Sequence, residues 1–183
     1  MEVAMSSEIA SSHEASRRRL MFVPGEDFYF LVYTTLIVLD DLKCTSATYE
    51  FSDLRKIAYL ADLLGSADDL RIALTNAPLN QAGQARLALL YDRAATRRLP
   101  LERVGDALAR RGLVTFRRTE GEPEKLFITD LDGTTSLLKT SLFDAERQRM
   151  KRLRRSLSHL RTMTLATLKT RLFADHGVNT WGD

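Results

Sequence analysis

Two aspartates at the end of an apolar segment are the residues of this sequence that could most readily do chemistry. Asp130 and Asp132 lie in the string LFITDLDGTT, which spans residues 126–135. Paired carboxylates can serve as nucleophiles, as general acids or bases, and as ligands for magnesium. The pair is therefore a candidate catalytic site, provided that the rest of the chain supplies the remaining groups.

The string 126–135 is similar to the first motif of haloacid-dehalogenase-like phosphatases, an apolar strand followed by Asp-x-Asp-Gly-Thr. The resemblance implies that Asp130 is the nucleophile and Asp132 the general acid/base, with magnesium between them. That family also needs a doubly wound sheet after this strand, a later lysine and a later acidic pair for the metal. The 50 residues after Gly133 predict basic helix instead, and they contain no adjacent acidic pair. We therefore interpret the motif as a polar turn.

Other residue types that carry catalysis or bind metals are sparse. Cys44 is the single cysteine, so neither an intrachain disulfide nor a cysteine-based zinc site can form. His13, His159 and His176 are scattered without the spacing of metal ligands. The sequence contains neither a phosphate-binding glycine loop nor a nucleophile elbow. We expect no enzymatic activity and no cofactor, and we expect Cys44 to be a packed thiol.

Charge is distributed unevenly along the 183 residues. The chain has a formal net charge of +3, with 44% apolar and 28% charged residues, as is ordinary for a globular protein. Residues 1–85 carry 7 basic and 12 acidic side chains, whereas residues 86–183 carry 20 basic and 12 acidic ones. This asymmetry predicts that the two halves face different partners, one of them nucleic acid or an acidic protein surface.

The sequence predicts no membrane segment. Its longest apolar run, residues 28–39, is shorter than the roughly 20 residues that span a bilayer. Residues 1–20 lack the order of a secretory signal, so we expect a cytoplasmic protein. We divide the chain into a flexible tail (residues 1–20), a helical winged-helix domain (21–135), a basic C-terminal helix (136–173) and a second tail (174–183).

Apolar spacing predicts helices before residue 99. Residues 27–43 favour a helix, with a central strand as the alternative, and Phe28, Leu31 and Val32 could be core or a partner interface. Residues 52–64 predict a helix that begins at a Ser52–Asp53 cap and ends at Gly65. Further helices are expected at residues 68–74 and 80–97.

The segment 99–133 predicts a helix followed by a β-hairpin. Leu101, Val104 and Leu108 share one face of the helix, and Gly112 stands where a left-handed helix stop is needed. Alternating apolar residues then predict a strand at residues 113–118 and a returning strand at residues 125–129, joined by a polar loop at residues 119–124. The string LERVGDALARRGLVTFRRTEGEPEKLFITDLDG is similar to the recognition helix and wing of bacterial winged-helix proteins, including MarR-like regulators.

The charges of this unit argue both for and against DNA binding. The outward helix face offers two acids and three arginines, and the wing base offers further cations that could contact phosphate. The predicted wing tip carries three glutamates where minor-groove proteins place basic residues. The candidate contacts to DNA or an acidic partner are Arg103, Arg110, Arg111, Arg117 and Arg118, with Glu120, Glu122 and Glu124 opposing them.

Residues 136–173 lack glycine and proline and predict a long basic helix. Met150, Leu153, Leu157 and Leu160 follow the 3-4-3 spacing of a coiled-coil seam and are candidates for a protein interface. The basic side chains around the seam form either a solvated face or a contact to DNA backbone or an acidic partner. They are Arg147, Arg149, Lys151, Arg152, Arg154 and Arg155.

The order of these elements resembles the small middle subunits of bacterial ABC-three-component and Lamassu-type defence systems. The resemblance rests on an apolar first helix, a second helix with a Lys-Ile-x-x-Leu-like pattern at Lys56, Ile57 and Leu60, and a wing closed by a Thr-x-x-Gly-like turn. The turn departs from that pattern, because three residues separate Thr129 and Gly133.

The resemblance implies a non-catalytic subunit beside an SMC-like or Rad50-like ATPase, with an effector subunit from the same operon, in anti-phage or anti-plasmid defence. We thus expect a mainly α-helical protein with a small β-hairpin wing, acting as a winged-helix adaptor that binds partner subunits, with DNA backbone as a second candidate contact. The alternative is a homodimeric, MarR-like transcriptional regulator that reads DNA through Arg103, Arg110 and Arg111.

Overall fold

A computed structural model describes residues 28–180, so the predicted tail 1–20 and residues 181–183 of the predicted tail 174–183 lie outside the described residues. Within the described range the chain forms eight α-helices and a small three-stranded sheet. The helices are α1 (Phe28–Asp41), α2 (Lys56–Gly65), α3 (Ala67–Ala73), α4 (Gln81–Ala95), α5 (Arg98–Arg110), α6 (Leu131–Leu138), α7 (Asp144–Ser156) and α8 (Leu165–Leu172). The strands are β1 (Phe51–Ser52), β2 (Val114–Arg117) and β3 (Lys125–Ile128).

Helix α1 forms the centre of the core, so the helix expected at residues 27–43 is confirmed and the strand alternative is wrong. Residues 36–39 are at most 2% exposed, because α1 packs against α2, α5, α6 and α7. The Thr35 hydroxyl donates to the Leu31 carbonyl at 2.7 Å, which satisfies a buried polar group. Leu31 is buried, and Phe28 and Val32 pack half-buried against the same core. These three residues therefore contribute to the chain's own core.

The start of α2 differs from the prediction. Ser52 lies in β1 rather than at a helix cap, and the helix begins at Lys56. Asp53 adopts a positive φ of 69° and is buried. Its carboxylate accepts hydrogen bonds from the Arg55 backbone amide and guanidinium at 2.9 to 3.1 Å. The cap is displaced because pairing of β1 with β3 holds residues 51–52 extended.

The three strands form an antiparallel sheet in the order β1–β3–β2. The predicted hairpin is confirmed, with Val114 opposite Ile128 and Phe116 opposite Leu126. Gly112, at a φ of 71°, ends α5 in the left-handed conformation that its lack of a Cβ permits. The third strand, β1, adds to the free edge of β3 and was absent from the prediction.

The single helix expected over residues 136–173 is wrong, because the chain divides there into α6, α7 and α8. Helix α7 ends at Ser156, and His159 takes a positive φ of 63°. Thr164 then caps α8 by accepting the Thr167 amide at 3.1 Å. The connection between α7 and α8 is held from outside by Lys56, whose amine bonds to carbonyls of residues 160, 161 and 163.

The predicted coiled-coil seam lies in the protein's own core, which corrects its assignment as an exposed interface. Met150 and Leu153 are fully buried on α7, and Leu157 and Leu160 are 5% and 1% exposed in the connection that follows. The seam packs towards α1 and α2. No helix within residues 28–180 is both long and apolar enough to cross a membrane.

Candidate functional site

Helix α5 presents a mixed basic and apolar outer face. Its inner face is fixed by Leu101, Val104 and Leu108, each at most 2% exposed. Because a helix repeats every 3.6 residues, positions 99, 103, 106 and 110 follow one another along the opposite side. Leu99 is 66% exposed there, and Arg103 and Arg110 are exposed with it. Within residues 28–180, only Tyr29, at 67%, is a more exposed large apolar side chain than Leu99.

Both acids on the outer part of α5 are neutralised by arginines. Arg98 pairs with Glu102 at 3.4 Å, and Arg118 of the wing pairs with Asp106 at 3.2 Å. Within the described residues no partner is found for three arginines at the outer face and C-terminal end of α5, namely Arg103, Arg110 and Arg111. The face is therefore more basic than its composition suggests, because its carboxylates are already engaged.

Helix α5 and the wing form one packed unit. The Phe116 ring of β2 lies against Gly105, where an added Cβ would come within 2.8 Å of the ring. The Arg118 guanidinium lies over the same ring, 4.6 Å from its centroid. A glycine at position 105 is thus required by close approach of the ring, and the wing is held at a fixed distance from the helix.

The cations at the base of the wing are paired with carboxylates. Arg117 pairs with Glu50, and Lys125 pairs with Glu122 at 3.1 Å and with Glu50 at 3.6 Å. The hydrogen bond to Glu122 raises the pKa of Lys125. Glu120 and Glu122 are exposed at the tip, on either side of Gly121. The two arginines predicted to contact phosphate from the wing base, Arg117 and Arg118, are therefore engaged in ion pairs within the chain.

The basic residues of α7 fall into two groups. Three arginines each donate to a carbonyl at the C-terminal end of another helix, where backbone acceptors lack helical partners. Arg147 donates to Leu138 of α6 at 2.9 Å, Arg149 to Leu64 of α2, and Arg154 to Asp41 of α1 at 2.8 Å. These three predicted contact residues have a structural function, since they fasten α7 to three neighbouring helices.

The second group of α7 cations faces solvent. Lys151, Arg152 and Arg155 are exposed, and no ion-pair partner for them is found in residues 28–180. Their positions i, i+1 and i+4 place them side by side on the side of the helix opposite Met150 and Leu153. Of the basic cluster predicted on α7, this half remains available to a partner.

The aspartate motif has a structural explanation. The Asp130 carboxylate caps α6 by accepting the Gly133 amide at 2.9 Å, and Asp132 lies in the first turn, where a negative charge is favourable. A Cβ on Gly133 would lie 2.1 Å from an Asp130 carboxylate oxygen, which explains the glycine. The strand before the motif belongs to the antiparallel sheet, so the phosphatase-like context is absent from the described residues.

Cysteine and metal chemistry find little support in the geometry. Cys44 is fully buried, and burial raises the pKa of its thiol to about 12, far from a reactive thiolate. Residues 28–180 contain no cluster of three or more His, Cys, Asp or Glu side chains that could hold a metal ion.

Lys56 is a buried cation that the sequence prediction missed as a distinct feature. Its amine donates to the carbonyls of Leu160, Arg161 and Met163, each at 3.0 Å, and lies 3.2 Å from the Ser52 hydroxyl. The Phe51 ring covers the amine 4.3 Å from its centroid. Burial lowers the pKa of Lys56 to about 8. The signal in the sequence was a lysine flanked by the buried Leu54 and Ile57.

Comparison with known proteins identified no relative of this chain. No protein family matches it. Neither a curated protein nor a solved structure matches it.

Proposed function

We propose that this protein is a non-catalytic winged-helix adaptor that docks a protein partner on the face formed by α5 and the wing. The observation that carries the proposal is that the exposed Leu99 lies one turn from Arg103, which has no ion-pair partner within the described residues. The two acids of the same helix, Glu102 and Asp106, are paired with other arginines. Arginine is enriched in protein-binding hot spots, and Leu99 adds apolar contact area beside it.

The order of elements supports a winged-helix interpretation. Helix α5 ends at Gly112, the β2–β3 hairpin follows directly, and β1 from earlier in the chain completes the sheet. The contact between Phe116 and Gly105 joins the helix to the hairpin, as a winged unit requires. The face is therefore offered to a partner as one preorganised surface, which lowers the entropic cost of binding.

Protein docking is favoured over sequence-specific reading of DNA through the same face. A wing that enters a DNA groove needs cations near its tip. Here the tip carries Glu120 and Glu122, while Arg117 and Lys125 at its base are paired with carboxylates. The acidic wing next to a basic helix instead suits a protein partner of mixed charge.

The resemblance to middle subunits of ABC-three-component and Lamassu-type systems supplies the class of partner. It suggests an SMC-like or Rad50-like ATPase, encoded with an effector in the same operon and active in defence against phages or plasmids. The homodimeric regulator gains no support from the seam expected to join two copies, because Met150, Leu153, Leu157 and Leu160 are buried within one chain.

The proposal is tested by purifying the tagged chain from its native host at moderate salt, after nuclease treatment. We expect a large coiled-coil ATPase to copurify in stoichiometric amount, identified by mass spectrometry. Recovery of the chain alone as a stable dimer that shifts its own promoter DNA would contradict the adaptor proposal and support the regulator.

A further inference from the structure

We propose that the α7 outer face, defined as Lys151, Arg152 and Arg155, binds the phosphate backbone of double-stranded DNA without regard to sequence. This surface lies on a different helix from the α5–wing face and does not depend on the protein partner. It would give the adaptor a direct contact to DNA in addition to its protein-docking surface.

The three cations of the α7 outer face are free to bind a ligand, whereas the other arginines of α7 bind within the chain. Arg147, Arg149 and Arg154 are engaged with carbonyls of α6, α2 and α1. Within residues 28–180, no carboxylate lies within ion-pair distance of Lys151, Arg152 or Arg155. Lys151 acts only at longer range on the Asp41 carboxylate, which already pairs with Arg154 at 3.3 Å. The remaining acids of α7 lie in its first turns, Asp144 at the N-terminal end and Glu146 paired with Arg149 at 2.9 Å. Positive charge is thus concentrated on the C-terminal half of the outer face.

The chemistry of the face fits phosphate better than protein. Protein interfaces contain an apolar centre with a polar rim. The exposed residues of α7 are charged, polar or small, among them Ala145, Gln148 and Ser156, and none is a large apolar side chain. Backbone phosphates need only correctly spaced cations and hydrogen-bond donors. The absence of an apolar anchor on this helix therefore favours DNA backbone over an acidic protein.

The face is also held rigidly. The three engaged arginines attach α7 at successive points along its length, and Met150 and Leu153 are fully buried beneath it. Because Lys151 and Arg155 are one turn apart on this fixed helix, both can approach the same stretch of backbone. Ordering of the helix itself therefore costs little when DNA binds.

The test is fluorescence anisotropy of a labelled mixed-sequence DNA duplex titrated with the purified full chain. The variant Lys151→Gln/Arg152→Gln/Arg155→Gln removes the α7 outer face. The matched control, Arg103→Gln/Arg110→Gln/Arg111→Gln, removes the same formal charge from α5. Melting curves check that both variants fold. If the triple α7 variant does not fold, the single variants Arg152→Gln and Arg155→Gln are titrated in its place.

We expect the wild-type chain to bind weakly at about 50 mM salt and its affinity to fall steeply as salt rises. Loss of three phosphate contacts lowers the slope of log affinity against log salt by about 3, and lowers affinity at least about tenfold at low salt. The α5 control keeps most of the wild-type affinity. A loss of affinity in the control equal to or greater than that in the α7 variant would overturn the proposal.

Two other outcomes would also overturn it. The first is the absence of measurable duplex binding at about 50 mM salt. The second is equally tight binding of a polyglutamate peptide, which would show that the face selects acidic polypeptide rather than phosphate. Both results concern the isolated chain, so failure here leaves the copurification test of the adaptor untouched.

Discussion

The ring of Phe116 lies directly on Gly105, and a Cβ at position 105 would be 2.8 Å from its Cε1 atom. This contact joins the middle of α5 to the first strand of the wing. It places the acidic wing tip and the exposed Leu99 on one rigid body, which is the arrangement on which the proposed docking face depends. The side chain that position 105 lacks is therefore as important as the side chains around it.

Gly105→Ala should destabilise the protein, although alanine is the better helix former. The added methyl group must displace the Phe116 ring, and overpacking of this kind costs about 1–3 kcal/mol. Urea denaturation of the variant measures the cost. In the double variant Gly105→Ala/Phe116→Leu the smaller side chain makes room, so the two effects should be strongly non-additive. Simple additivity would contradict the contact.

Lys56→Met should lower the free energy of unfolding by about 2 kcal/mol or more, because three carbonyls lose their donor. The effect should be largest in the connection between α7 and α8. Hydrogen–deuterium exchange measures it as faster exchange of amides near residues 157–164. Lys125→Met, on the half-buried wing base, is the comparison that should leave that segment unchanged. Unaltered stability in Lys56→Met would refute the anchoring function.

The buried amine also predicts a pH dependence. Burial lowers the pKa of Lys56 from its ordinary 10.5 to about 8, so the unfolded chain binds more protons between those values. Stability contributed by this group therefore rises as pH increases from about 8 to 10.5 and is constant below that window. Subtracting the profile of Lys56→Met from that of the wild type isolates the effect. A difference that falls or stays flat over this window would contradict it.

Two adjacent arginines on α7 should respond differently to the same substitution. Arg154 donates to the Asp41 carbonyl at 2.8 Å and lies 3.3 Å from its carboxylate. Burial raises the pKa of Asp41, and the charge of Arg154 offsets part of that rise. Arg154→Gln should therefore cost about 1–3 kcal/mol of stability. Arg155→Gln should change stability by less than about 0.5 kcal/mol. Thermal or chemical denaturation of both variants checks the split, and equal effects would contradict the division of α7 into two groups.

Local patterns in the sequence predicted local structure well. The apolar face of α5, the stop at Gly112 and the alternation in residues 113–129 each depend on neighbours a few positions apart, and the helix and hairpin form as expected. The two-residue strand β1 carries no such pattern, because it is extended only through pairing with β3, more than 70 residues later. That pairing also moved the start of α2 from Ser52 to Lys56.

Spacing alone could not identify what the apolar residues of the C-terminal region contact. The 3-4-3 pattern of Met150, Leu153, Leu157 and Leu160 correctly indicated burial, but an intramolecular core and a coiled coil require the same spacing. The break after Ser156 had no glycine or proline to mark it. It is stabilised by Lys56, which is about a hundred residues away in sequence. Tertiary contacts also determine which arginines of α7 remain exposed to solvent, and the sequence alone does not show those contacts.

The most direct test of the proposed docking face compares variants in copurification from the native host after nuclease treatment. Leu99→Glu places a charge at the exposed apolar residue near the start of α5, and Leu89→Glu places the same charge on α4 at a leucine that is 48% exposed. Both variants should melt at close to the wild-type temperature. We predict that a coiled-coil ATPase copurifies with the wild type and Leu89→Glu but is lost from Leu99→Glu. Retention of the ATPase by Leu99→Glu, or its absence from the wild type, would contradict the account.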